Sequence, residues 1–262
     1  MPEIIFARPR TPYDSYQDFL RLIELSGFPL IYTDEIDADS ENVYIYSPSN
    51  GDTRNGWPGA RARIIHYQLE WETHPNDQHP LDPGVSEKWT HDQWHAERIG
   101  ARYVPIGGHP DLIYAPVNGA GDTAYDVAML AYMTNRRIYL AAEMQRKGFR
   151  IAPNAWGEER HRVLTGSKAM LHVHQHDDIP GVASLRFVVA AAYRLPVITE
   201  TCANYGIFGH SHLLMSQYNY LTDFTESWLK PECAARLADY GHALHGLLCH
   251  EQTFRKVIEA AV

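Results

Sequence analysis

The chain has 262 residues, 45% of them apolar, with 23 Lys and Arg against 32 Asp and Glu. That composition supports one large or two small domains with a real core and excludes disorder and fibrous repeats, while the acidic balance supplies no global basic field to gather nucleic acid. Three scattered cysteines, Cys202, Cys233 and Cys249, form no CxxC pair, which argues against a disulfide framework or a zinc knuckle.

The chain opens with a short strand at 3–7 and a helix carrying Phe19, Leu22 and Ile23 that stops at Gly27. No secretory-type apolar run precedes it and no stretch of about 18 apolar residues follows. A soluble, cytoplasmic protein without a membrane span is therefore expected. "FPLIYTD", "ENVYIYSPSNGD" and "RARIIHYQLEWE" read as strands ending in polar or turn-forming residues. Residues 73–86 read as a loop rich in Pro, Asp and His, and the segment from Ser86 to Gly100 as a helix carrying Trp89 and Trp94. A short strand, 102–106, leads to the small-residue stretch "YAPVNGAGDTAYD", a linker by composition.

The alternation then starts afresh. "YDVAMLAYM", "FRIAPNAW", "KAMLHVHQ" and "LPVITE" read as strands, and "NRRIYLAAEMQRKG", "GEERHRVLTGS" and "PGVASLRFVVAAAYR" as the helices between them. From Tyr218 to Val262 the pattern is helical, anchored by Trp228 and Tyr240. Two βαβα series specify an α/β protein with parallel sheets, expected as two Rossmann-like domains facing a ligand cleft. The expected division is 1–118, 122–217 and a helical tail, 218–262.

Chemistry concentrates in "LHVHQHDDIPGVASLR". His172, His174 and His176 alternate as strand neighbours do, so with Asp177 or Asp178 they could chelate a metal. The other reading places His172 and His174 inside a strand, with only His176, Asp177 and Asp178 at its carboxyl end, where ligands of βα units bind. The backbone amides of Gly181 and Val182, with Ser184 and Arg186 in the first turn of the next helix, can converge on a phosphate. The competing reading is a glycine turn and a surface arginine. Asn135, Arg136 and Arg137 begin another helix, where two cations oppose the helix dipole unless an anion is present. Trp156 stacks on a base or belongs to the core. His66 and Glu70, at the end of one strand, suit proton removal at a hydroxyl, or His66 is a core histidine.

"GVASLRFVVAAAYRLPVITE" resembles the nucleotide-sugar-binding region of GT-B glycosyltransferases. The stretch from Tyr125 to His174 is similar to the same domain in the short spore-maturation-type, family 1-like members, where an Asn-Arg-Arg helix start and an LHVH-like strand ending precede the donor loop. The resemblance covers about residues 122–210. It implies a GT-B-like fold with a reduced N-terminal domain and a nucleotide-diphosphate sugar donor, a UDP-sugar first among them. No metal is required, because helix dipoles and cations neutralise the leaving diphosphate.

The same resemblance assigns donor binding to Asn135, Arg136, Arg137, Trp156, His176, Gly181, Val182, Ser184 and Arg186. His66, Glu70, His109 and Asp178 are the candidate catalytic groups, His109 because "YVPIGGH" is similar to the strand leading into the interdomain linker. The paired glutamates of retaining members fall here on Gly181 and Val189, so the usual ribose carboxylate is absent. Glu200 replaces it only if its side chain turns back to the cleft. A short N-terminal half suits a large acceptor, such as a hydroxylated base in DNA, a protein or a polysaccharide. A His/Asp metal-dependent hydrolase built on "HVHQHDD" and a non-catalytic nucleotide-binding protein are the alternatives.

Overall fold

The computed structural model describes residues 2–8, 10, 17–47, 56–69, 83–113, 124–155, 157–177, 180–182, 184–209 and 211–262. The chain divides into two compact units, one formed by Met1–Ile106 with Phe254–Val262, the other by Gly107–Thr253.

The first unit contains β1 (Ile4–Arg8), α1 (Gln17–Leu25), β2 (Leu30–Tyr32), β3 (Val43–Tyr46), β4 (Arg63–Gln68), β5 (Glu87–Thr90), α2 (Gln93–Ile99) and β6 (Arg102–Tyr103). All six strands run parallel in the order β2-β1-β3-β4-β5-β6. Every residue of β3, Val-Tyr-Ile-Tyr, is buried, as expected for a parallel strand covered on both faces.

The helix expected from Ser86 to Gly100 is corrected by this sheet. Residues 87–90 pair between β4 and β6, with Tyr67 opposite Trp89, and Trp89 is fully buried. An aromatic residue fits the pleated surface well, and sheet pairing outweighs local helix propensity here. The helix begins only after Asp92, whose carboxylate accepts the His95 amide at 2.7 Å, a cap that satisfies an orphan donor. It ends at Gly100, whose φ of 66° favours a residue without Cβ.

The second unit contains β7 (Tyr125–Ala128), α3 (Asn135–Arg146), β8 (Ile151–Ala152), α4 (Gly157–Thr165), β9 (Ser167–His172), α5 (Ser184–Ala192), β10 (Val197–Glu200), β11 (Leu214–Ser216), α6 (Leu221–Trp228) and α7 (Ala234–Gly246). Its five strands are parallel in the order β11-β10-β9-β7-β8. The strand order reverses between β7 and β9, and a reversal of this kind opens a crevice outside the carboxyl ends of the strands. Val127, Leu171, Ile198 and Leu214 line one core cluster with Leu140 and Met144 of α3. Trp228 and Tyr240 are half-buried against that cluster, their ring centroids 5.5 Å apart.

The sequence pattern does not mark β11, which is three residues long. Nor does β9 reach His174; the strand ends at His172, and His174 lies in the following loop.

Past α7 the chain widens into a π turn over Leu247–Glu251. The last helix, α8 (Phe254–Ala261), belongs to the first unit. There Phe254 packs against Phe6, Phe19 and Phe28, with centroid distances of 5.6, 5.7 and 6.1 Å.

Candidate functional site

The carboxyl ends of β7, β9 and β10 bring together the residues with the most chemical potential. Thr134 precedes the first turn of α3, and its hydroxyl donates to the Gln175 carbonyl at 3.3 Å, tying the α3 entrance to the loop after β9. Asn135 is exposed at that entrance.

Arg136 is the centre of a network. Its Nη1 donates to Glu200 Oε2 at 2.6 Å, Nη2 donates to Glu200 Oε1, and Nε donates to Asp177. The guanidinium carbon lies 3.7 Å from the Tyr218 ring centroid, and the Tyr218 hydroxyl donates to the Arg136 carbonyl at 2.8 Å. Burial opposes its charge, but the bonds to Glu200 and Asp177 raise its pKa above the ordinary arginine value.

Arg137, only 2% exposed, turns the other way. Its Nε and Nη2 donate to the Val173 carbonyl at 3.0 and 2.8 Å, and Nη1 donates to the Tyr132 carbonyl at 2.7 Å. This guanidinium joins two site loops, and it acts on the crevice through its charge. Burial, with the neighbouring charges of Arg186 and Arg136, pushes its pKa down to about 10 against the pull of Glu200. Arg186, half-buried in the first turn of α5, also helps hold His172 neutral. Arg136 and Arg186 therefore oppose the charge of Arg137 at one end of the sheet, while Glu200 and Asp177 balance Arg136.

The histidines of "HVHQHDD" separate into two environments. His172 and His174 are buried, and His176 is exposed. Thr199 Oγ1 gives its proton to the Glu200 carbonyl at 3.0 Å, so it accepts from His172 Nδ1 at 2.9 Å and fixes that tautomer. The His174 amide donates to Glu200 Oε2 at 3.2 Å, while its ring spans Glu200 on Nδ1, at 3.5 Å, and Cys202 Sγ on Nε2, also at 3.5 Å. Burial lowers the pKa of both rings, for His172 well below the histidine range. Among the described residues no group of three or more His, Cys, Asp or Glu side chains could hold a metal ion.

Gly181, Val182 and Ser184 are buried at the entrance of α5. The Ser184 amide donates to the Val182 carbonyl at 2.9 Å, and the Gly181 carbonyl faces Cys202 Sγ at 3.7 Å. The carboxyl end of this sheet thus gathers Asn135, Arg136, Arg137, His176, Gly181, Val182, Ser184 and Arg186, on the segments that follow β7 and β9. It also includes Glu200, Cys202 and Tyr218. Tyr218 and Cys202 stand far from the Asn-Arg-Arg motif in sequence, and only their positions after β10 and β11 could have indicated them. Glu70, Trp156 and Asp178 lie outside the described residues.

The two remaining candidates, His109 and His66, belong to different units. His109 belongs to the second unit, where its Nδ1 accepts the Asp111 amide at 3.2 Å. His66 lies on β4 of the first unit, buried and tilted against the Tyr46 ring at 5.2 Å. Tyr46 borders a small cavity shared with Arg8 and Tyr67, with room for about one water, at the β1/β3 reversal of that sheet.

No protein-family model and no curated protein sequence matches this chain. Solved structures match its fold over its whole length. AviGT4, a glycosyltransferase involved in avilamycin A biosynthesis, aligns with a TM-score of 0.62 and 11% identity, over 100% of this chain and 96% of its own. Anabaena Alr3699/HepE, solved with UDP and glucose, gives a TM-score of 0.61 and 10% identity over 100% and 99% of the two chains. The DNA-modifying enzyme beta-glucosyltransferase, solved with and without its substrate uridine diphosphoglucose, gives 0.60 and 10% over 99% and 98%. Against TarM, with a TM-score of 0.53, the chain spans 55% of that protein's length. At these identities the likeness is one of architecture: the chain has a GT-B-like α/β fold, built on two parallel sheets of six and five strands.

Proposed function

We propose that the chain is a glycosyltransferase that binds a nucleoside-diphosphate sugar at the β7/β9 reversal and moves the sugar to a large acceptor. The observation that carries this reading is the gathering of Arg136, Arg137 and Arg186 with the entrances of α3 and α5, on a fold shared end to end with glycosyltransferases. Helix N-termini favour anions through their dipole, and cations there add charge-assisted bonds. A UDP-sugar is the first donor to test, because the beta-glucosyltransferase uses uridine diphosphoglucose and HepE was solved with UDP.

In the proposed transfer the acceptor hydroxyl loses its proton as its oxygen bonds to the anomeric carbon. The bond from that carbon to the diphosphate breaks, and the diphosphate leaves with the electron pair. Arg186, Arg137 and the loop amides stabilise the departing charge, Arg137 through its field rather than by contact. His66, Glu70, His109 and Asp178 are the candidate proton acceptors. The acceptor classes that fit are a hydroxylated base in DNA, a protein and a polysaccharide, and no metal takes part.

Calorimetric titration with UDP, GDP, ADP and their glucose conjugates, with and without chelator, tests the donor. Saturable binding of one diphosphate is expected, unchanged by chelation. Arg186→Ala should weaken it by about 1.5–3 kcal/mol, the value of a charged hydrogen bond. Absence of binding for every nucleotide would remove the reading.

A further inference from the structure

A second cluster lies outside that crevice, where α7 passes into the π turn. His245, on the last turn of α7, is buried, and His250 follows five residues later on an exposed edge. In an α-helix, side chains four apart stack on one face. The wider π turn over Leu247–Glu251 brings positions five apart together instead, and π turns often mark functional positions. His245 Nε2 and His250 Nε2 stand 3.2 Å apart, with their rings nearly perpendicular at 79°.

The other side of His245 is fixed. Its Nδ1 lies 2.8 Å from the Ala191 carbonyl, which has no proton to give, so Nδ1 carries the hydrogen and Nε2 carries the lone pair. Metal-binding histidines have this arrangement, with the far nitrogen donating to a backbone carbonyl that orients the ring.

The spacing of the two nitrogens suits a metal. Two imidazole nitrogens, each about 2.0–2.1 Å from a tetrahedral Zn²⁺, stand about 3.3 Å from each other. We propose that His245 and His250 form a two-nitrogen site for a late first-row divalent cation, zinc foremost, with water completing the coordination. Without metal, His250 Nε2–H donates to His245 Nε2. On loading, that proton moves to His250 Nδ1, and each Nε2 gives its lone pair to the metal.

The test is titration of the full chain with ZnCl₂ against a chromophoric chelator, with Co²⁺ as a spectroscopic substitute. The wild-type chain should take up one equivalent at micromolar affinity, with the visible bands of four-coordinate cobalt. His250→Ala removes an exposed ring and should weaken binding about tenfold or more, and His245→Gln should do the same. If His245→Gln does not fold, His250→Ala decides alone. Zinc held equally by wild type and His250→Ala, or no uptake by the wild-type chain, overturns the assignment.

Discussion

Glu200 grips Arg136 with both carboxylate oxygens and also accepts the His174 amide, and this position decides how single residues in the crevice will respond to change. Glu200 is 7% exposed. Removing its cation would leave a buried carboxylate without compensation, a loss that typically costs about 3–5 kcal/mol. Arg136→Leu is therefore expected to lower stability by about 3 kcal/mol in urea unfolding, whatever it does to nucleotide affinity. A variant of wild-type stability would show that the pair is solvated. The same reasoning makes Arg186 the cleaner probe of phosphate binding, since its loss leaves the Glu200 pairing intact. The Glu200 carboxylate turns to Arg136 and the His174 amide, which occupy both of its oxygens.

At the scale of elements, α5 ends in a turn that the sequence disguises. The Leu195 amide donates to the Ala190 carbonyl and the Arg194 amide to the Ala191 carbonyl, both at 2.9 Å. This double closure places Arg194 at φ 53°, a position where glycine is the usual occupant. Arg194→Gly should relieve the left-handed strain and raise stability by up to about 1 kcal/mol. Gly241 of α7 comes so close to this turn that an added Cβ would lie 2.1 Å from the Arg194 carbonyl oxygen. Gly241→Ala should thus destabilise by about 2 kcal/mol or more, and thermal melts of the two variants should move in opposite directions. Strands such as Val-Tyr-Ile-Tyr and Val-Ile-Thr-Glu were legible because strands of a parallel sheet read as near-continuous apolar runs when both faces are covered. Trp89 was misread because its neighbours also suit a helix, and only pairing with β4 and β6 decides between them. The place of Arg136, Arg137 and Arg186 at helix starts was legible in the sequence. The opposite orientations of Arg136 and Arg137 were not, because they depend on Glu200 and Val173, which are remote in sequence.

At the scale of the whole molecule, buried histidines set the response to acid. Burial, with the charges of His91, Lys88 and Arg98, takes His95 down to about 3, and burial also lowers His172 and His174. Below about pH 6.5 the unfolded chain binds protons that these folded rings refuse, by up to about 1.4 kcal/mol per pH unit for each histidine. Stability should be full above that pH and fall as acid is added from 6.5 toward 3. Urea midpoints at pH 7.5 and 5.0 measure the loss, and His95→Gln should flatten it; an equal slope in that variant would exclude His95 as a source. Deleting 254–262 should uncover Phe6, Phe19 and Phe28 and abolish cooperative unfolding of the first unit, while the contiguous second unit keeps its own transition. The same connectivity bears on the order of events during synthesis. Residues 1–106 leave the ribosome before Phe254, yet their aromatic core waits for it, about 7–30 seconds later at ~5–20 residues per second. The second unit needs nothing from downstream, so the part of the chain made later is the part able to finish folding first.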